Sequence, residues 1–344
     1  MTDTLPIIAL TMGECTGIGP EIVARVMHDG RMAETARIVL IGDSRVLEQG
    51  KAHAGVTFQS RTYDDPGAVD WEDATVPLVD LANTDPSLYA IGQMNSQSGH
   101  LTGETLSRAI DFARSGLVEG ICFAPLNKRA MFDGGWKFPD EHKMFAKLLE
   151  HAGHFSEMNV LDGQWMSRVT SHVSLREAVE LVTDQSIQAA IELAMDTMRR
   201  AGITKPRLAV AALNPHAGEN GLFGREEIEM IAPVVKRMAM RGHDVKGPFP
   251  ADTVYLKAFD GAFDGVLAMY HDQGQIATKL RGFNRGVTVT AGLPITFTTP
   301  AHGTAFDIVG KGVANTGALE AAIRLNATLT TARRRMGDQV SRIA

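Results

Sequence analysis

Short apolar runs alternate along this chain with longer stretches of helical periodicity. Pro6–Met12, Arg37–Ile41, Gly120–Ala124, Arg207–Leu213 and Gly265–Tyr270 are brief and almost continuously apolar, so they predict strands covered on both faces. Leu101–Leu117, Ser186–Ala201, Glu226–Arg241 and Gly317–Arg334 predict helices. In the second of these, Ile187, Ile191, Leu193 and Met198 roughly mark one apolar side. Strands alternating with helices predict an α/β fold on buried parallel strands. Neither an internal repeat nor a low-complexity linker interrupts the pattern, and composition marks no domain boundary.

The polar positions gather where the apolar runs stop. Gly13-Glu14-Cys15-Thr16-Gly17, Pro125-Leu126-Asn127-Lys128, Asn214-Pro215-His216 and His271-Asp272-Gln273-Gly274 each follow a predicted strand. Ligands of open α/β sheets bind outside the carboxyl ends of the strands, so chemistry is expected at these turns.

Composition narrows the partners. The net charge is -6, and Lys and Arg are scattered rather than clustered, which excludes an electrostatic footprint for nucleic acid. An acidic substrate therefore needs a local basic pocket. Met1 to Ala9 carries Asp3 and no basic stretch, so no secretory leader is expected, and no apolar run reaches the ~18 residues of a membrane span. Two cysteines, Cys15 and Cys122, make no disulfide framework, and a reducing cytoplasm is the expected setting.

Three histidines stand apart by their surroundings: His172 in Val169-Thr170-Ser171-His172-Val173, His216 in Asn214-Pro215-His216-Ala217-Gly218-Glu219, and His271. Three imidazoles can hold a transition metal and leave coordination positions open for substrate. Each also reads as a hydrogen-bonded loop histidine, because no local metal-ligand spacing ties them together. A second motif is His302-Gly303-Thr304-Ala305-Phe306-Asp307-Ile308-Val309-Gly310. Its small residues admit a ligand close to the backbone, and Asp307 can accept hydrogen bonds from ribose hydroxyls while repelling a 2′-phosphate. A surface turn leading into the last helix reads equally well. Gly13–Glu21 is a tight loop opening a helix, but neither a dinucleotide fingerprint nor a Walker loop.

Taken in order, these segments resemble the 4-hydroxythreonine-4-phosphate dehydrogenase (PdxA) family. The likeness runs through Gly17-Ile18-Gly19-Pro20-Glu21, Ala124-Pro125-Leu126-Asn127-Lys128, Asn214-Pro215-His216-Ala217-Gly218-Glu219-Asn220-Gly221, Pro250-Ala251-Asp252-Thr253, Met269-Tyr270-His271-Asp272-Gln273-Gly274 and Gly292-Leu293-Pro294. The resemblance implies a two-domain fold of the isocitrate/isopropylmalate dehydrogenase type with parallel or mixed sheets. Its NAD-binding α/β domain would span about 1–130 plus 280–344, and its metal, substrate and dimerisation domain about 131–279. It implies that His172, His216 and His271 bind one divalent ion (zinc, manganese, cobalt, nickel or magnesium), with ligands shared across a homodimer interface. It further implies that Lys279, Asp252 and Asp272 serve catalysis, that Lys279 also contacts substrate, and that His302, Gly303, Thr304, Ala305, Asp307 and Ile308 hold NAD. The family oxidises a secondary alcohol beside a carboxylate-bearing carbon, and in pyridoxine-pathway members the β-keto acid then loses carbon dioxide.

The implied substrate residues, His142, Lys143, Lys279, Thr288 and Phe297, depart from the family pattern. Where relatives read Gly-His-Thr-Glu-Phe, this chain reads Glu141-His142-Lys143-Met144-Phe145; Thr288 stands for an asparagine and Phe297 for an arginine. The first loop reads Glu14-Cys15-Thr16 in place of Asp-Pro-Ala. Loss of an arginine and gain of Glu141 disfavour a dianionic phosphate, whereas Lys143 favours one. The expected function is therefore an NAD- and metal-dependent dehydrogenase of a small polyhydroxy acid, with 4-hydroxythreonine 4-phosphate not its best substrate. The alternatives are a dihydrodiol dehydrogenase of an aromatic acid and a catalytically silent metal-binding homologue. No nucleic acid or membrane partner is expected.

Overall fold

A run such as Ile-Ile-Ala-Leu leaves no polar side to face water, and Ile7–Thr11 forms a strand, β1, buried from Ile8 onward. In the computed structural model, residues 5–282 and 285–341 are described, with side chains as far as 335. Asp3 lies outside them. From β1 the chain runs through α1 (Gly19–Asp29), β2 (Arg37–Gly42), α2 (Ser44–Ala54), β3 (Ser60–Tyr63), β4 (Val76–Asp80), α3 (Ser96–Arg114), β5 (Gly120–Phe123), α4 (Lys128–Asp133) and α5 (Glu141–Leu148). It continues as β6 (Ser156–Leu161), β7 (Gln164–Arg168), α6 (Leu175–Leu181), α7 (Asp184–Arg200), β8 (Arg207–Ala211), α8 (Ala232–Met240), β9 (Asp244–Phe249), α9 (Ala251–Phe259), β10 (Gly265–Ala268), α10 (His271–Gly282) and β11 (Val287–Ala291). It closes with β12 (Thr296–Pro300) and α11 (Gly317–Ser341).

Two compact units result, Met1–Ala152 with Leu293–Ala344, and Gly153–Gly292. The breaks fall later than the expected 130 and 280 because α5 and β12 pack together: Phe145 stacks on Phe297 with ring centroids 4.2 Å apart. The first unit holds a parallel sheet in the order β3-β4-β2-β1-β5-β12. The chain leaves β1 toward one edge and returns as β5 on its other side. The carboxyl ends of β1 and β5 thus flank a topological switch point.

Phe297 is wholly buried, as are Phe123 and Phe145, and Phe123 meets the Phe145 ring edge-on at 5.5 Å. Strand alternation turns the next residue the opposite way, where the Thr298 hydroxyl donates to the Ala322 carbonyl of α11. Phe297 is therefore a core residue in this fold and not an exposed wall of a pocket.

The second unit holds a mixed sheet, in which β11, β6 and β7 are antiparallel neighbours and β7, β10, β8 and β9 run parallel in that order. The antiparallel part enters through a hairpin at Asp162-Gly163, both left-handed with φ of 50° and 84°. Helix α7 buries Ile187, Ile191 and Met198 as its periodicity predicts, with Leu193 half-buried at the margin. The stretch predicted as one helix from Glu226 opens instead as a π-helical turn, Glu227–Ile231, before α8. Among the described residues no helix is long and apolar enough to cross a membrane, and Cys15 and Cys122 are buried free thiols.

The aromatic stack sets a stability test. Phe145→Ala should cost about 3–5 kcal/mol. Phe297→Arg should cost at least as much, because it puts a guanidinium into a wholly buried aromatic stack. Thermal denaturation of the two variants checks this, and a Phe297→Arg protein as stable as the parent would contradict the core assignment.

Candidate active site

Strands β7, β10 and β8 lie side by side and parallel, so the loops leaving their carboxyl ends emerge at one edge of the sheet. Those loops carry His172, His271 and His216 respectively. The His172 and His271 rings are neighbours, with centroids 5.5 Å apart. Asp272 Oδ1 lies 2.7 Å from His271 Nδ1. A carboxylate accepts from a ring N–H, so Nδ1 faces Asp272 as donor and Nε2 is the nitrogen left to face a metal, the arrangement expected of a metal-binding imidazole. Both rings line a cavity of about 190 Å³ with Tyr270 and Asp272. Asp272 and Tyr270 also line a second cavity of about 600 Å³, together with Asp252 and Tyr255. Burial raises the pKa of the Tyr255 hydroxyl, which keeps it protonated.

His216 sits elsewhere on that edge, exposed, with its ring 6.3 Å from Phe223. Among the described residues no three His, Cys, Asp or Glu side chains of the chain gather into a metal-holding group. His216 opens a run of left-handed backbone: His216, Ala217, Gly218, Glu219 and Asn220 have φ of 52°, 54°, 77°, 42° and 55°. A left-handed turn costs about 1–2 kcal/mol for each non-glycine residue. Buried Glu227, delivered by the π-helical turn, restrains it. One carboxylate oxygen accepts from the backbone N–H groups of Leu213 and Asn214 at 2.9 and 2.8 Å, and the other accepts from Asn214 Nδ2 at 3.0 Å. A Cβ on Gly218 would meet Glu227 at 2.7 Å, so glycine is required beneath the carboxylate. His172 is also left-handed, with φ of 39°.

In the first unit the loops after β1, β5 and β12 interlock. Glu14 N donates to the Pro125 carbonyl, and Ile18 N donates to the Thr304 carbonyl, each at 3.0 Å. A Cβ on Gly17 would stand 2.9 Å from that of Thr304, so the close approach depends on glycine. Arg25 Nη2 donates to the Gly312 carbonyl at 2.9 Å and Ala314 N donates to Glu21 at 3.0 Å, anchoring the far end of the loop. Within it Ala305 is left-handed at φ 44°, a single helical turn spans Phe306–Ile308, and Gly303 and Asp307 are exposed while Thr304 is buried. Burial holds His302 below the usual imidazole range, leaving it neutral at pH 7. An exposed carboxylate on a fixed backbone is a suitable acceptor for ribose hydroxyls. Burial likewise raises the Glu14 pKa and pushes the Cys15 thiol up to about 12, so Cys15 is no nucleophile.

The remaining predicted residues fall in different settings. His142 is buried in the first turn of α5, and Lys143, beside it, is exposed. Asp140 caps this helix by accepting from Lys143 N at 2.9 Å. The added carboxylate of Glu141 stands 2.9 Å from Lys128 Nζ, so its charge is neutralised. Glu141 therefore does not weigh against a phosphate as the sequence suggested. Thr288, on β11, is buried and accepts from Asn159 Nδ2 at 3.0 Å. Lys279 is exposed on α10, eight residues beyond His271. Glu227 was missed by sequence reasoning; in Glu226-Glu227-Ile228-Glu229 nothing in the sequence sets it apart from the glutamates beside it.

The sequence profile described as "Pyridoxal phosphate biosynthetic protein PdxA" matches residues 34–326. A D-threonate 4-phosphate dehydrogenase of Cupriavidus necator is 40% identical over 334 residues, 97% of this chain and 100% of that protein. The crystal structure of a 4-hydroxythreonine-4-phosphate dehydrogenase from Klebsiella pneumoniae superposes with a TM-score of 0.80 at 37% identity, over 94% of this chain and 99% of the other. That of a terephthalate 1,2-cis-dihydrodiol dehydrogenase from Burkholderia xenovorans gives 0.64 at 27% identity, over 94% and 98%.

Glu227→Ala should release the left-handed turn. The protein should lose at least about 2 kcal/mol, since buried N–H groups lose a charged acceptor. Amide exchange at residues 213–221 should quicken selectively, and unchanged exchange there would show that Glu227 does not hold the loop.

Proposed function

This chain belongs to the PdxA family and is a dehydrogenase, and from that premise we propose that it oxidises the secondary hydroxyl of a small, terminally phosphorylated polyhydroxy acid of the D-threonate 4-phosphate class. We assign NAD as acceptor, a divalent ion at the histidines, and a homodimer as the active unit. The observation that carries this reading is the His172–His271 pair with Asp272 fixing the His271 tautomer, at the carboxyl ends of adjacent parallel strands. The full-length likeness to the Cupriavidus necator enzyme supports the substrate class. The Lys128–Glu141 pair supports it too, by leaving no uncompensated negative charge at His142.

A divalent ion at these imidazoles supplies Lewis acidity toward an alcohol, and NAD supplies the hydride acceptor. The chain's own residues do the rest. Asp272 holds one imidazole in its binding tautomer, and the strained backbone at His172 presents the other. Lys279, on the helix that His271 opens, is assigned to take the hydroxyl proton as the hydride leaves. The product is a carbonyl compound, reduced cofactor and one proton. His216 would complete the ligand set, with ligands shared between two copies of the chain. Support for pairing of two copies comes from the apolar surface of α9 and α10, where Leu256, Ile276 and Leu280 are 65%, 59% and 84% exposed around the larger cavity. Asp307 supports NAD over NADP by repelling a 2′-phosphate.

Steady-state kinetics test the reading directly. D-threonate 4-phosphate should give a higher kcat/KM than 4-hydroxythreonine 4-phosphate, than unphosphorylated threonate and than an aromatic cis-dihydrodiol, each read by NADH formation. The highest efficiency on the dihydrodiol would replace the substrate assignment, and no cofactor reduction with any of them would remove it. Asp307→Ser should narrow the preference for NAD. Leu280→Glu should yield a monomer by sedimentation with activity lost, and a fully active monomer would exclude the shared site.

A further inference from the structure

Sheet faces under helices are ordinarily apolar, yet one face of the Gly153–Gly292 sheet carries a polar row. Register places Asn159 opposite Thr288, and Glu157 opposite Thr290; Arg168 lies two residues beyond Met166, which also opposes Asn159. Asn159 and Arg168 are 3% and 4% exposed. Asn159 uses its whole hydrogen-bonding capacity. Its Nδ2 donates to Thr288 Oγ1 at 3.0 Å and to Glu157 Oε1 at 3.3 Å, while its Oδ1 accepts from Arg168 Nη1 at 3.0 Å and from Gln275 Nε2 at 2.7 Å. Arg168 Nη2 pairs with Glu157 Oε1 at 2.7 Å, and Arg168 Nε donates to Ser171 Oγ at 2.9 Å.

Such a cluster is a poor means of stabilising a core. Desolvating the charges costs several kcal/mol, and well-packed apolar residues often serve stability as well or better. What the cluster supplies is fixed geometry, and its two outlets show where. Ser171 precedes His172, whose left-handed backbone needs restraint. Gln275 lies on α10 four residues after His271 and four before Lys279, on one side of that helix. The two outlets meet at Asn159 and Arg168.

We propose that Arg168 and Asn159 are positioning residues that set the spacing between the His172 loop and the helix presenting His271 and Lys279. The proposal rests on the reading of His172 and His271 as metal-binding imidazoles. A buried guanidinium suits the task because its fork fixes three directions at once, which a lysine cannot do.

Two variants test it. Ser171→Ala cuts one outlet and leaves every charge paired. Glu157→Gln with Arg168→Met removes both charges together, so that neither is stranded. Each is compared with the parent by Co²⁺ titration followed through visible absorption, by thermal denaturation, and by amide exchange of the metal-free protein. Both variants should bind Co²⁺ about 10–100-fold more weakly, in the range found when partners of metal-binding histidines are removed. Exchange should quicken at residues 169–173 while the melting temperature stays near that of the parent. Co²⁺ affinity within two-fold of the parent in both variants overturns the proposal, even if exchange quickens, because the cluster would then serve stability alone. If the parent itself binds no Co²⁺, the metal reading fails separately and exchange decides: unchanged exchange at 169–173 overturns the positioning role.

Discussion

A strand covered on both faces has no water along its length, so a charge placed there must bring its own partner. That constraint organises this molecule. In the first unit β1, β2 and β5 are buried almost throughout, and the polar residues they cannot hold appear where the strands stop. The loops after β1, β5 and β12 bond to one another there, and those after β7 and β10 bring His172 beside His271. The exception obeys the same rule: Arg168 stands on a covered strand only because Glu157 and Asn159 stand with it.

Where the chain leaves a strand, it repeatedly accepts an unfavourable backbone in order to aim a side chain. His172, His216 and Ala305 are all left-handed, and each lies in a segment of interest for function. Strain of this kind persists only when the surroundings over-determine it. The surroundings here are specific: Glu227 beneath the His216 turn, Arg168 behind Ser171, and the Gly17 approach beneath Thr304. At Glu227 and Arg168 rigidity is thus supplied by a single buried polar group carrying several bonds.

Hydrophobic pattern made the first unit legible. The runs at Ile7, Arg37 and Gly120 gave its central strands, since continuous apolar residues leave little choice of period. The second unit was harder. β6 and β7 mix Glu157, Asn159 and Arg168 with apolar residues, and their polar face hides the alternation that marks a strand. The Asp162-Gly163 turn was the available signal and was not read. The histidines could be singled out by their loops, but the nearness of His172 to His271 depends on β7 and β10, far apart in sequence, pairing side by side, with the Thr170 hydroxyl donating to the Met269 carbonyl just beyond them. Spacing along the chain carries no such information. The family resemblance likewise placed Phe297 in a pocket, when its strand partner and the Phe145 ring place it in the core.

The connectivity of the first unit bears on how the protein is made. Its strand β5 pairs with β12, joining Gly120–Cys122 to Thr296–Thr298, and the whole of Gly153–Gly292 is translated between those partners. The ribosome therefore releases the second unit complete while the first still lacks β12 and the covering helix α11. Until residue 298 emerges, β5 offers an unpaired edge to any neighbouring nascent chain. Premature termination between Gly292 and Thr296 would leave the same edge open. Such truncated chains should be recovered with chaperones rather than as free protein.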